Sequence, residues 1–359
     1  MLSFEDTLRG RKCLVTGQTG FTGGWLSVWL NKIGVAPSGF ALAPQTTPNL
    51  YEAASVGEAV DDRLIDLRDF EKIRDFVDEK KPEIIFHLAA QPIVSRGFED
   101  PLESFHVNAL GTANLLEAAR LSKSVKAVVC ITTDKVYHEQ SWPWAYRESD
   151  TLGGKDPYSA SKAAAEIITR SYQETLSGRG NGVRIATARG GNIIGGGDWA
   201  DNRIVPDFVR AHLSGSRLPL RNPGAVRPWQ HVLALCHGYL ALAAGLIGEN
   251  GDKFVGAYNF GPSDQRGFTV AELINALNKN WPAVSTDMEP GWFPEAGFLR
   301  VDSSKAHRDL GWVPPLKFED TARLTAEWYR GYAKDDSSAR ALTESQIDFY
   351  RDAIAAAGS

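Results

Sequence analysis

The sequence predicts an α/β fold: a doubly wound parallel sheet covered by helices, followed by a smaller C-terminal portion. Three observations predict it. Short apolar runs of strand length recur through the first half, and a run apolar at every position is buried on both faces, as a parallel strand under helices is. Segments with helical apolar spacing separate these runs. After Arg189 the texture changes to short pieces rich in Gly, Pro and Trp.

The elements follow in order. Residues 12–16 (KCLVT) read as a buried strand, and Trp25, Leu26, Trp29, Leu30 and Ile33 after it keep helical spacing. A second strand ends near residues 40–42 and a third near Asp66. Residues 83–89 (EIIFHLA) and 127–133 (AVVCITT) are two more buried strands, with a helix over residues 101–122 between them. Another helix starts near Tyr158, and residues 184–189 (RIATAR) form a further strand. Residues 190–198 (GGNIIGGGD) hold too much glycine for a regular element. The apolar run 232–246 and the strand-like residues 257–261 return to the first domain. The expected division is therefore 1–189, joined by about 230–261, against 190–229 and 262–359. Residues 334–340 (KDDSSAR) form a surface link to the last helix, and no internal repeat is visible.

Composition narrows the function. The chain has 359 residues, 43% hydrophobic and 23% charged, with 39 basic against 44 acidic side chains and a net charge of -5. No block of like charge stands out, so neither a nucleic acid nor a membrane surface is an expected partner. The opening MLSFEDTLRGRKCLVTG lacks the pattern of a signal peptide. The best apolar stretch, residues 232–247, is interrupted by His237 and Gly238, so no membrane span is expected. Cys13, Cys130 and Cys236 are odd in number and far apart, which reads as free thiols in a reducing cytoplasm. No metal is expected.

The first chemical motif is Thr16-Gly17-Gln18-Thr19-Gly20-Phe21-Thr22-Gly23, which follows a strand and opens a helix. Glycines let the backbone turn tightly and approach a pyrophosphate, and the helix start offers N–H groups to the anion. Glycine triplets are common in turns, and the strand–turn–helix setting is what favours dinucleotide binding through Gly17, Thr19, Gly20, Phe21, Thr22 and Gly23. No acid follows the second strand to hold a ribose, and no arginine stands there for a 2′-phosphate. NAD is favoured over NADP by elimination. Asp66 and Leu67 at the third strand end are candidates for the adenine. The alternative is that Asp66 caps a helix over residues 68–76.

Tyr158 and Lys162 (YSASK) lie four apart on one helix face. A phenol is a poor base at neutral pH, and a nearby ammonium lowers its pKa. With Thr133 at a strand end between the glycine turn and this helix, a hydroxyl-oxidising triad is the better reading than a surface pair. Asp134 and Lys135 come next after that strand. Elimination of water needs both an acid for the leaving hydroxyl and a base for a carbon-bound proton. The alternative is a solvated ion pair. Lys135 lowers the pKa of Asp134 while desolvation raises it, and sequence leaves that balance open.

The GxxGxxG turn and the Thr–Tyr–Lys positions are similar to the extended short-chain dehydrogenase/reductase family. Residues 17–30, 87–92 (HLAAQP), 132–137 (TTDKVY), 146–162, 191–206 (GNIIGGGDWADNRIVP) and 220–232 (LRNPGAVRPWQHV) resemble its nucleotide-sugar 4,6-dehydratases. The likeness runs from Lys12 to about Tyr350. The last two segments and the Asp–Lys pair resemble the CDP-linked branch; relatives acting on dTDP-glucose or GDP-mannose carry glutamate at the position of Lys135. The resemblance implies a Rossmann-type NAD-binding domain and a smaller substrate-binding domain. It implies conversion of CDP-D-glucose to CDP-4-keto-6-deoxy-D-glucose with internally recycled NAD, in deoxysugar synthesis for bacterial O-antigen. Tyr158 would take the C4 hydroxyl proton, tuned by Lys162, with Thr133 on the C4 oxygen. Asp134 would protonate the leaving C6 hydroxyl and Lys135 would handle the C5 proton. Leu88, Ala89 and Ala90 would line the cofactor. Gln91, Asn192, Arg203, Leu220, Arg227 and Glu295 would meet the substrate, with Asn192 and the arginines on its diphosphate. The helices over residues 101–122 and 158–176 would pair subunits in a homodimer or homotetramer.

This chain departs from the family at four positions. Gln18 and Thr22 stand where His and Lys are frequent, Thr133 replaces a usual Ser, and Phe293-Pro294-Glu295-Ala296 replaces Pro-His-Glu-Ala. Two rival readings share the fold. A nucleotide-sugar epimerase would use Tyr158, Lys162 and NAD but leave Asp134 and Lys135 idle, and a non-catalytic NAD-sensing protein would not need an intact triad. A dehydratase for another nucleotide sugar is a third alternative.

Overall fold

A computed structural model describes residues 3–140, 142–176, 182–264, 266–282, 284–289 and 300–357. Seven strands form the main sheet: β1 (Cys13–Thr16), β2 (Ser38–Ala41), β3 (Asp61–Leu64), β4 (Ile84–His87), β5 (Ala127–Ile131), β6 (Arg184–Arg189) and β7 (Gly256–Asn259). Their order is β7-β6-β5-β4-β1-β2-β3, and every neighbouring pair is parallel. The chain begins in the middle at β1, winds out to β3, and crosses back to β4. Between β1 and β4 the winding reverses, and their carboxyl ends open a crevice suited to a ligand.

Alternation explains the layers. Val15, Ile84 and Phe86 face one side of the sheet, Leu14 and Ile85 the other. The first side packs against α1 (Phe21–Lys32), and the second against α2 (Phe70–Lys80), α3 (Gly111–Leu121) and α4 (Pro157–Leu176). The apolar run at 232 becomes α5 (Val232–Ile247), buried on nearly every face against α1 and the sheet. No helix among the described residues is long and apolar enough to cross a membrane. α6 (Phe318–Lys334) and α7 (Ala339–Ala357) close the chain. As expected, the strand at residue 257 returns to the main sheet, where β7 pairs with β6.

Three local expectations are corrected. The helix over 101–122 is interrupted: Pro101–Ser104 is α-helical, Phe105–Leu110 is one π-helical stretch, and α3 follows. In the glycine-rich segment, Ile193–Ile194 does form a short strand, pairing in parallel with Gln230–His231. The two β-branched residues supply the strand preference that the flanking glycines lack. Finally, the helix after β3 starts at Phe70 and its cap is Asp69, whose side chain accepts from Lys72 N–H. Asp66 is three residues too early to reach the free N–H groups of that helix.

Candidate active site

The glycine turn sits at the carboxyl end of β1. Gly17 has φ +79°, a conformation that favours glycine, and a Cβ there would lie 2.8 Å from Ala89 N. A Cβ on Gly23 would lie 2.1 Å from Gly17 O, so helix α1 can abut the turn only without one. α1 begins at Gly20 without a side-chain cap. Its first-turn N–H groups, beside a backbone that leaves room for close approach, fit a dinucleotide pyrophosphate. Thr19 Oγ1 donates to Leu42 O at 2.8 Å and ties the turn to the end of β2.

A buried hydrogen-bond chain sets the opposite wall. Thr16 Oγ1 accepts from Ala89 N–H at 3.0 Å and meets His87 Nδ1 at 2.9 Å, while His87 Nε2 meets Thr112 Oγ1 at 3.1 Å. Burial pushes His87 down to about 3, so the imidazole is neutral and bridges two hydroxyls. Leu88, Ala89 and Ala90 are thereby held against Gly17. Neither His87 nor Thr16 was singled out from sequence, where both read as strand interior.

Farther along the crevice, Asp66 is bound by its neighbour. Arg68 Nε contacts both carboxylate oxygens, at 3.0 and 3.1 Å, and holds the acid below the usual carboxylate range. Leu67 O accepts from Asn114 Nδ2 on α3. The sequence also passes over Asp62, which accepts from Gln18 Nε2 at 3.2 Å and from Tyr51 hydroxyl at 2.7 Å. Gln18 thus links the glycine turn to β3.

The triad residues converge where β5 ends. Thr133, Tyr158 and Lys162 are all buried, and the Thr133 side chain acts on the Tyr158 phenol. Lys162 Nζ donates to Ile131 O at 2.9 Å. Burial pushes the Tyr158 phenol up to about 12, against the pull of Thr133 and of the Arg203 charge, and pushes Lys162 down to about 8. Here a sequence expectation changes: desolvation outweighs the neighbouring charges, and Thr133 and Arg203 are the groups that draw the phenol down.

Asp134 lies deep while Lys135, beside it, is exposed. The carboxyl accepts from Thr133 Oγ1 at 3.1 Å on Oδ1 and from Asn192 Nδ2 at 3.1 Å on Oδ2. Burial raises its pKa; Lys135, the Thr133 hydrogen bond and Arg227 pull the other way without cancelling the rise. Burial therefore wins over the charges that the sequence sets against it, and the shift is in the direction a general acid needs.

The substrate candidates divide. Asn192 (φ +51°) is turned onto Asp134, and Arg227 places its charge near the same carboxyl. Arg203 pairs with Asp198 at 3.0 Å, and its charge reaches Tyr158. Gln91 is taken up internally: Nε2 donates to Ser104 Oγ and Oε1 accepts from Ile93 N–H. Leu220 ends a short strand, Leu218–Leu220, that pairs with Thr286–Met288. Glu295 lies outside the described residues. A cavity of about 1160 Å³ lies elsewhere, lined by Glu148, Thr187, Arg189, Gly256 and Lys305. It touches none of the triad, so the site is defined by converging chemistry and not by this cavity.

Comparison with known proteins gives three findings. The family described as GDP-mannose 4,6 dehydratase matches residues 14–325. CDP-glucose 4,6-dehydratase of Salmonella typhimurium is 40% identical over 334 residues, 91% of this chain and 93% of that protein. Among solved structures, dTDP-glucose 4,6-dehydratase of Bacillus anthracis in complex with NAD superposes with TM-score 0.75 at 23% identity, covering 93% of this chain and 100% of that one. UDP-glucose 4-epimerase of Thermus thermophilus, also with NAD, gives TM-score 0.75 at 28% identity over 89% of this chain and 99% of that one.

Proposed function

The chain belongs to the GDP-mannose 4,6-dehydratase family, and on that premise we propose that it converts CDP-D-glucose to CDP-4-keto-6-deoxy-D-glucose and water. One observation carries the reading: a carboxyl whose pKa burial raises, Asp134, and an exposed lysine, Lys135, stand beside the Thr133–Tyr158–Lys162 triad. An epimerase would need the triad alone. NAD is the cofactor, and bound here it would supply a hydride acceptor for oxidation at C4 and the hydride for reduction at C6. The glycine turn and the Leu88–Ala90 wall would hold it.

The residues then divide the work. Tyr158 takes the C4 hydroxyl proton, and Thr133 hydrogen-bonds the C4 oxygen. The C4 ketone acidifies the C5 proton, which Lys135 removes and later returns. Asp134 protonates the C6 hydroxyl so that it leaves as water. Arg203 and Arg227 supply positive charge for the diphosphate. The CDP preference rests on the 40% identity to the Salmonella enzyme and on lysine at position 135. Cytoplasmic residence agrees with three free, buried cysteines. A subunit interface on residues 101–121 and α4 agrees with exposed Leu102, Leu110, Leu121 and Ile167.

The test is incubation with CDP-, dTDP-, UDP- and GDP-glucose and catalytic NAD. A product lighter by one water, formed fastest from the CDP sugar, is expected. Stoichiometric accumulation of NADH, or an epimer that keeps its C6 hydroxyl, would sink the dehydratase reading. A preference for another nucleotide would refute only the CDP assignment. Lys135→Met should allow C4 oxidation but cut product formation by ~10²–10⁴. Normal product formation in that variant would remove Lys135 from the chemistry.

A further inference from the structure

Each turnover leaves a proton in the wrong place. Oxidation at C4 delivers the hydroxyl proton to Tyr158. Departure of the C6 hydroxyl as water takes a proton from Asp134. The C5 proton leaves to Lys135 and comes back, so it cancels. After one turnover Tyr158 is one proton richer and Asp134 one poorer, and a second cannot begin until a proton passes between them.

Thr133 stands between the two groups. Its hydroxyl donates to Asp134 Oδ1 at 3.1 Å, and the same side chain acts on the Tyr158 phenol and draws it down. All three side chains are sealed from bulk water: Thr133 is 5% exposed, Asp134 1% and Tyr158 9%. Asp134 cannot turn freely. Asn192 Nδ2 holds Oδ2 at 3.1 Å, and the carboxylate rests where a Cβ on Gly191 would come within 2.2 Å of Oδ1. Oδ1 is therefore kept on Thr133.

We propose that the Thr133 hydroxyl is a proton relay from Tyr158 to Asp134, so that the proton lost from the C4 hydroxyl is replaced, through the chain, by the one that leaves with the C6 oxygen. As Tyr158 accepts the C4 hydroxyl proton it passes its own phenolic proton to Thr133 Oγ1. Thr133 passes its hydroxyl proton to Asp134 Oδ1, and Asp134 gives that proton to the departing C6 oxygen. Tyr158 and Thr133 end as they began, and only Asp134 alternates between carboxylate and acid. The inference rests on reading Tyr158 as the C4 base and Asp134 as the C6 acid.

The surrounding charges suit this route. Arg227 faces Asp134 and supports its carboxylate between turnovers, and Lys135 stands beside it. Arg203, Asp156 and Asp134 itself face Tyr158. Its phenol is pushed up to about 12, and a relay removes the need for a standing phenolate in a site that disfavours one.

The experiment is stopped-flow single turnover of the NAD-loaded enzyme, following nicotinamide absorbance. Its rise reports C4 oxidation, and its fall reports hydride return after elimination. With a relay, Asp134→Asn slows the rise itself by about 10²-fold and makes it accelerate about tenfold per pH unit, because the phenolic proton must leave to solvent. Thr133→Val has the same effect, and the double variant is no slower than Thr133→Val alone. Thr133→Ser keeps the hydroxyl, so its rise should lack the steep pH dependence of Thr133→Val. A normal rise without a fall in Asp134→Asn overturns the relay and leaves the dehydratase reading standing. A normal rise and a normal fall remove Asp134 as the acid and overturn both. Additive losses in the double variant also overturn the relay. Should Asp134→Asn not fold, the Ser and Val variants decide it, since equal pH profiles in the two refute a hydroxyl relay.

Discussion

Lys162 carries its charge where burial penalises it, and that makes it visible in stability as well as in rate. Its pKa falls from 10.5 to about 8, through desolvation that Cys130 and Glu166 only partly offset. Between those values the unfolded chain binds more protons than the folded one, so stability rises with pH across this window. Below about 8 the penalty is complete, at most about 3 kcal/mol. Tyr158, shifted from 10 to about 12, acts in the opposite sense only above pH 10. Lys162→Met should therefore lose activity yet unfold at higher urea at pH 7, by about 1–2 kcal/mol after the lost bond to Ile131 O is counted. Its stability should also lack the rise between pH 8 and 10. Urea midpoints of both proteins across that range check this, and parallel pH slopes would refute it. The Tyr–Lys pair was legible in the sequence because its geometry is local: four residues make one helical turn. The state of Asp134 was not, because it depends on burial against Gly191 and Asn192, far away in the chain. Nor was the engagement of Asp66 by Arg68 and of Gln91 by Ser104, which comes down to side-chain rotamers.

The turn after β6 is the element that shapes the acid. Asp134 N–H donates to Gly190 O at 3.3 Å, Gly191 leaves space for the carboxylate, and Asn192 caps Oδ2. A methyl group at 191 would stand 2.2–2.3 Å from all three carboxylate atoms. Gly191→Ala should therefore displace the acid and lower kcat by about 10²-fold. NAD affinity should hold, because the glycine turn lies on β1. Titration of NAD by fluorescence quenching, beside steady-state kinetics, separates the two; an unchanged kcat would mean that the carboxylate is not seated there. β1, β4 and β5 were legible because each is a run of buried apolar residues with a single reading, whereas β3 is polar and mostly exposed and left only its end near Asp66 to be read. Less legible was the π-helical stretch Phe105–Leu110. There Asn108 donates to Gln91 O and Ser161 Oγ and accepts from Gln91 N–H, tying the crevice to α4. Its apolar spacing looks like ordinary helix, and only the buried amide marks the change of winding.

Across the whole molecule the two expected domains share one core. The cluster on the α1 side of the sheet runs from Val15 and Trp29 through Leu235 and Tyr258 to Trp312, Trp328 and Tyr350. The break in texture at Arg189 is thus a change in how the backbone is built, and apolar packing continues across it. α7 is the clearest link. Its Tyr350 is fully buried, with its ring 5.8 Å from Trp29 on α1 and 6.0 Å from His237 on α5. Arg351 on the same helix pairs with buried Glu5 at 2.8 Å, so the end of the chain clasps its beginning. Tyr350→Ala should cost about 3–5 kcal/mol, the usual range for deleting a buried aromatic ring. Its hydroxyl is buried with no hydrogen-bond partner among the described residues, so Tyr350→Phe should be neutral or stabilising. A shared core also requires the parts to melt together. Far-UV circular dichroism and tryptophan fluorescence should give coincident urea transitions, and Tyr350→Ala should move both midpoints equally. If Tyr350→Ala moved only one signal, α7 would be stabilising one part of the chain alone, and the single core would be two.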